Sequence, residues 1–279
     1  MRTFILIIAV LLNTTAAIAD TSITLASTTS TQNSGLYNHL LPLFKAETGI
    51  TVNVIAVGTG QAIKIAENGD ADALLVHYRP SEDAFVTNGY GIDRRDIMYN
   101  DYIIIGPRND PAEVAKFQKT SDALRAIKNA QHLFISRGDD SGTHKKEMEL
   151  WASSGLLPSG GWYREIGAGM GAALNMAAAT DAYLMSDRGT WLSFGNQQNL
   201  KILLQGEPRL RNPYGLILVN PAKHPHVKIA SARRFAKWLT SEVGQQAIAR
   251  FRVKNKQLFC PNAQPEKDSK AFCPSNSLQ

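Results

Sequence analysis

Short apolar runs alternate with amphipathic stretches along most of the chain. "SITLAS" is followed by a helical pattern from about residue 35 to 47, then by "TVNVIAV", a helix over 61–67 and "ADALLVH". Alternation of this kind predicts strand–helix–strand units and a largely parallel sheet covered on both faces. "DYIIIGP", residues 101–107, is a further apolar run, stopped by Gly and Pro. A second set follows: a helix over 122–129, "HLFIS", a helix from about 143 to 153, "GWYREIG", an Ala-rich helix over 171–179, "AYLMS" and "LKILL". "YGLILVN", residues 214–220, is another buried strand, and an amphipathic helix is expected from about 227 through 248.

The strands around 101–107 and 214–220 bracket the second set, so they are expected to be crossovers between two α/β lobes. The first lobe is expected to hold residues 20–105 plus 213–279, and the second residues 106–212. Two lobes joined by crossovers form a cleft, and open parallel sheets bind ligands beyond the carboxyl ends of their strands.

The N-terminus changes the picture of where this fold works. Arg2, the apolar "FILIIAVLL" and the small-residue "TTAAIA" have the order of a secretory signal peptide over residues 1–19, with a cut before Asp20. The apolar core is shorter than the ~20 residues a spanning helix takes. A periplasmic protein that is not membrane-embedded is therefore expected. In that compartment an even cysteine count suggests a bridge, so Cys260 and Cys273 are expected to pair. A loop of that length would contribute about 3 kcal/mol in the chain-entropy model.

Charge adds little. The formal +6 is scattered, apart from short groups such as "ARRFAK" and "FRVKNK", and reads as a solvated surface. No dense basic stripe with interleaved aromatics marks a nucleic-acid binder.

Four expected strand-to-helix turns share one chemistry: "STTSTQNSG" from Ser27, "GTGQ" from Gly58, "SRGDDSGTH" from Ser136 and "GAGMGA" from Gly167. Each is rich in Gly, Ser or Thr and opens onto a helix. Helix starts expose backbone N–H groups at the positive end of the macrodipole, and several converging ends make an anion site. Arg137 is the only cation in these turns. One guanidinium among many neutral donors suits a small, fully ionised oxyanion. Any single turn of this kind is ordinary helix capping; four together point to a ligand.

Other motifs carry less. "GAGMGA" fits the dinucleotide pattern GxGxxA, with Asp187 at the right distance, but "WYREI" before it is a poor buried strand. Ser141 and His144 suggest a nucleophile and base, yet the GxSxG elbow is absent. His77, His132, His224 and His226 lack carboxylate or Cys partners at ligand spacing, so core or surface positions are expected for them rather than metal binding. Trp151, Trp162, Trp191 and Trp238 are expected to pack the lobes.

The motifs "STTSTQNSGL", "VGTGQAIKIAENGDAD", "SRGDDSGTHKKEMELW" and "GAGMGAALNMAAATDAYLMSDRGTWLSF" resemble those of the periplasmic substrate-binding proteins of tungstate-type ABC importers. This resemblance implies the two-lobed type II binding-protein fold, α/β in class, with each lobe a mostly parallel sheet flanked by helices. It implies binding of tungstate, and of molybdate as a further ligand, and delivery to a membrane permease with its ATPase subunit. It implies no enzyme activity, no cofactor and a monomer. By the same resemblance, Thr29, Ser30, Thr59, Gly60, Arg137, Ser141, Gly142 and Thr143 would hold the oxyanion, with Met170 and Gly171 closing from the second lobe.

Phosphate is the nearest alternative, since binding proteins of the same fold carry an Arg-x-Asp-x-Ser-Gly-Thr run like that of Arg137, Asp139, Ser141, Gly142 and Thr143. Hydrogen phosphate carries a proton and needs an acceptor, whereas tungstate wants donors only. The direction of Asp139 and Asp140 is what separates the two. A secreted hydrolase using Ser141 is the alternative from a different class.

Overall fold

The computed structural model describes residues 22–263. The first part of the chain runs β1 (Ser22–Thr28), α1 (Thr29–Asn33), α2 (Leu36–Thr48), β2 (Thr51–Val57), α3 (Thr59–Glu67), β3 (Ala73–Val76), α4 (Arg79–Thr87) and β4 (Gly91–Pro107). Next come α5 (Thr120–Ala130), β5 (Phe134–Ser136), α6 (Gly142–Ser153), β6 (Tyr163–Glu165), α7 (Met170–Thr180), β7 (Tyr183–Asp187), α8 (Arg188–Ser193) and β8 (Leu200–Leu204). The chain then forms β9 (Arg211–Val219), α9 (Ile229–Leu239), α10 (Glu242–Arg250), the short hairpin β10 (Arg252–Val253) and β11 (Lys256–Gln257), and β12 (Cys260–Pro261).

Ten strands join in the order β2-β1-β3-β9-β4-β7-β5-β6, with β8 and β12 also on β4. Pairing is parallel within β2-β1-β3 and within β7-β5-β6. The long strands β4 and β9 run antiparallel to each other and to their other neighbours. The first part of β4 pairs with β9 as far as Asp101↔Arg211, and from Tyr102↔Asp187 onward it pairs with β7.

The core explains why these runs are almost continuously apolar. Successive side chains on a strand point to opposite faces, and here both faces are covered. On β3, Ala73 and Leu75 enter one apolar cluster while Leu74 and Val76 enter another. On β4, Ile103 and Ile105 join the first of these clusters, while Tyr102 and Ile104 pack into a third with Phe134, Trp151 and Trp162. All four tryptophans are buried, as their apolar setting predicts.

Several elements differ from the sequence reading. The single helix expected over 227–248 is two, because Thr240 ends α9 and the Ser241 hydroxyl caps α10 by accepting from Gly244 N at 3.2 Å. Helix α4, which opens with Pro80 in its first turn, was not anticipated, and neither was α8, which is capped by Asp187. Strand β4 begins ten residues earlier than its apolar run, at Gly91 rather than at Asp101. Its charged start is tolerated because Arg94 pairs with Glu82 at 2.7 Å and Asp96 at 2.9 Å. Cys260 is buried on β12 and is not a free thiol; its expected partner Cys273 lies outside the described residues, as does the expected signal peptide.

Candidate oxyanion site

Strands β1, β2, β3 and β5 all end at one place, and the residues at and just past their ends line a small pocket of about 190 Å³ that opens in part to solvent. Thr28, Thr29 and Ser30 come from the β1–α1 junction, Val57, Gly58 and Thr59 from β2–α3, and His77 from the end of β3. Arg137, Ser141, Gly142 and Thr143 come from β5–α6. The carboxyl-end location is the one that parallel sheets reserve for ligands.

The run of five hydroxyls from Ser27 to Thr31 divides its labour. Ser27 Oγ donates to Leu75 O at 2.8 Å and contacts the Tyr37 hydroxyl, which fixes β1 to the core. Thr28 caps α1, its Oγ1 lying 2.8 Å from Thr31 Oγ1 and 3.1 Å from Ser30 Oγ. Thr29 and Ser30 face the cavity. The turn out of α1 is made by Gly35, whose φ of 83° is open to glycine and strained for other residues.

Helices α3 and α6 begin at the cavity, and their first N–H groups have no partners within the helix. Gly58 caps α3 without a side chain, and Ser141 caps α6 by accepting from His144 N at 3.3 Å. Gly142 N donates to Thr59 Oγ1 at 3.1 Å. A side chain at Gly142 would meet Thr59 Oγ1 at 3.0 Å and the His77 ring at 3.1 Å, so the two helix starts leave little room for one. Thr143 Oγ1 is buried and makes no hydrogen bond of ordinary geometry.

Arg137 is 7% exposed. Asp139 Oδ2 accepts from its Nη2 at 2.5 Å and from its Nε at 3.2 Å, which leaves Nη1 outside the pair. Asp139 Oδ1 accepts from Ser141 N at 3.2 Å. Burial alone would raise the Asp139 carboxyl, but the bonds from Ser141 and Arg137 outweigh it and hold the group below the usual carboxylate range. Asp140 is exposed and lies 3.3 Å from Lys145 Nζ. Both acids are therefore turned away, and neither lines the cavity.

His77 is buried between the cavity and the long strands. Its Nε2 lies 3.4 Å from Ser30 Oγ, and its Nδ1 lies 3.1 Å from Asn212 Oδ1 and 3.3 Å from the Tyr102 hydroxyl. Burial pulls its pKa down to about 4, so the ring is neutral near pH 7.

Seven of the expected site residues thus come together: Thr29, Ser30, Thr59, Arg137, Ser141, Gly142 and Thr143. Gly60 follows Thr59 on α3 without lining the cavity, and Met170 and Gly171, at the start of α7, do not line it either. Met170 is buried in the apolar core and Gly171 is exposed. The sequence reading missed His77, although a histidine directly after the buried run "ALLV" stands at a strand's carboxyl end. The suspected base His144 points elsewhere: its Nδ1 accepts from Asp140 N at 3.1 Å and its Nε2 faces Glu165 at 3.4 Å.

Comparison with known proteins gives the family. Residues 14–243 match the model of the PBP superfamily domain. The chain is 46% identical over 250 residues to the tungstate-binding protein TupA of Peptoclostridium acidaminophilum, covering 88% of this chain and 87% of the relative. It is 40% identical over 244 residues to TupA of Campylobacter jejuni, covering 86% and 90%. A solved structure of the tungstate ABC transporter from Geobacter sulfurreducens is 48% identical, with a TM-score of 0.78, covering 82% of this chain and 98% of that one. The chain belongs to the PBP superfamily, within the family of these tungstate-binding relatives.

Proposed function

We propose that the protein captures tungstate, and molybdate as a dianion of the same shape, and delivers it to an ABC importer. The observation that carries this reading is a small, partly enclosed pocket lined by hydroxyls, helix-start residues, His77 and one guanidinium, with both nearby acids turned away. Such a cavity suits an anion that accepts from every side and brings no proton. It does not suit hydrogen phosphate, whose proton would need Asp139, and Asp139 is already committed to Arg137 and Ser141 N.

Residues 20–105 plus 213–279 and residues 106–212 act as two lobes in this reading. Thr29, Ser30 and Thr59, with Gly60 behind them, form one wall. Arg137, Ser141, Gly142 and Thr143 form the other, and Met170 and Gly171 at the start of α7 close over the anion from the second lobe. Desolvation of the dianion is offset by charge-assisted hydrogen bonds, which are about twice as strong as neutral ones. The loaded, closed form is what the permease and its ATPase subunit receive in the periplasm. The protein is a carrier that binds its cargo without turning it over.

A thermal-shift panel of oxyanions tests this. Tungstate at about 100 times its Kd should add about 2.7 kcal/mol to stability, and phosphate and sulfate in large excess should fail to displace it in calorimetry. Ready displacement by phosphate would replace the tungstate reading with the phosphate one.

A further inference from the structure

The ring of His77 is held by a buried amide pair whose polar atoms do not all have partners. Asn212 Nδ2 donates to Asn100 Oδ1 at 2.7 Å and lies 3.4 Å from the Tyr214 hydroxyl, while Asn212 Oδ1 faces His77 Nδ1 at 3.1 Å. Asn100 is 1% exposed, and its Nδ2 has no partner. In this orientation His77 must carry its proton on Nδ1, and Nε2 turns a lone pair toward Ser30 and the cavity. A lone pair there repels an anion that has no proton to give. A buried amide N–H without an acceptor is itself unfavourable.

Amide oxygen and nitrogen are nearly the same size, and their placement follows from the hydrogen-bond network. Turning both amides by half a turn keeps the distances and repairs the network. Asn100 Nδ2 then donates to Asn212 Oδ1, which also accepts from the Tyr214 hydroxyl. Asn212 Nδ2 donates to His77 Nδ1, the atom that the Tyr102 hydroxyl also approaches at 3.3 Å. With Nδ1 accepting, the single proton of the neutral ring must sit on Nε2. The orphan that remains is a carbonyl oxygen of Asn100, and an under-satisfied carbonyl is the more readily tolerated case.

We propose that His77 is a ligand-contacting residue that donates Nε2–H to the bound oxyanion, with its tautomer fixed by Asn212 and Asn100 on the paired strands β9 and β4. This deepens the tungstate reading and rests on it: His77 is a donor that favours proton-free oxyanions over protonated ones. The opposite tautomer would make the same atom an acceptor suited to hydrogen phosphate. Ser30, freed from donating to His77, keeps its own proton for the ligand.

Long-range ¹H–¹⁵N correlation NMR on the full mature protein reads the tautomer directly, and calorimetry with sodium tungstate reads its effect. The expected result is an Nε2–H pattern at His77 in the tungstate-bound protein. His77→Phe should weaken tungstate about tenfold or more, as the loss of a hydrogen bond to a charged group does. His77→Gln, which restores a donor at about the same reach, should recover part of that loss. An Nδ1–H pattern in the bound protein overturns the proposal, and so does tungstate binding by a folded His77→Phe variant as tight as wild type. Should His77→Phe fail to fold, the wild-type spectrum still decides. Wild-type protein that gives no heat with tungstate overturns the tungstate reading and this proposal with it; wild-type binding with the wrong tautomer overturns this proposal alone.

Discussion

Gly142 N donates to Thr59 Oγ1 across 3.1 Å, and this bond joins the first turn of α6 to the first turn of α3. One partner follows β5 and the other follows β2, so the contact reaches from one set of parallel strands to the other. Thr59→Val keeps the shape and leaves the Gly142 amide without its acceptor. The expected cost of an unmet buried donor is about 1–3 kcal/mol, read as weaker tungstate binding in calorimetry with little change in the fold by circular dichroism. Unchanged affinity would mean that the two helix starts approach without needing this bond.

Arg137 should lose affinity in two distinguishable ways. Arg137→Ala removes the one Lys or Arg that lines the cavity among the described residues and should cost about 3 to 5 kcal/mol of tungstate binding. Asp139→Ala leaves the cation in place but frees the guanidinium and the Ser141 amide from the carboxylate that positions them. A smaller loss of affinity is expected there. Equal losses in the two variants would show that Asp139 does more than orient its neighbour.

Glu147 should make stability fall with rising pH. Its carboxyl is buried and accepts from Trp151 Nε1 at 3.2 Å and the Tyr163 hydroxyl at 2.8 Å, and burial pushes it from 4.5 up to about 7. Between those values the folded protein binds more protons than the unfolded chain. The contribution is therefore whole below pH 4.5 and is lost as pH rises to about 7, an effect of about 3 kcal/mol at most. Urea unfolding of Glu147→Gln against wild type should show a difference in the variant's favour that grows over this interval and is flat above it. A difference independent of pH would contradict the raised carboxyl.

Asp101→Asn should be among the most destabilising single changes. Asp101 accepts from Arg188 Nε at 2.7 Å and Nη2 at 2.5 Å with both groups buried. Removing one member of such a pair strands the other, at a cost of about 3–5 kcal/mol. Chemical denaturation measures it. A loss under 1 kcal/mol would mean that water reaches Arg188 once its partner is neutral.

Much of this was legible because apolar period and turn chemistry are local. The strands "TVNVIAV" and "YGLILVN" and the capped starts at Gly58 and Ser141 need no knowledge of the rest of the chain. The missed elements depend on distant partners. Residues 91–100 are strand through their pairing with β9, with Arg94 held by Glu82 on α4 as well as by Asp96, and nothing within "GIDRRDIMYN" shows that pairing. The direction of Asp139 was hidden for another reason: its partners Arg137 and Ser141 N are only two residues away, but a sequence does not give the side-chain rotamer that chooses them. His77 joins a cavity wall through Asn212, 135 residues away, a distance no local pattern spans. Conversely, the long helix expected over 227–248 was a misreading of local signal: "TSE" at 240–242 is a helix end followed by a helix start.

Strands β4 and β9 run side by side through Tyr99↔Pro213, Asn100↔Asn212 and Asp101↔Arg211, and the chain between Arg211 and Asp101 leaves and returns at neighbouring rungs. A ladder of this kind cannot lengthen, because its backbone is already extended and its rungs are hydrogen bonds. It can still be wrung, since paired strands tolerate a wide range of twist. In the two-lobe reading proposed above, turning of one lobe against the other would be a twist about this shaft, and Asn100 and Asn212 sit on it.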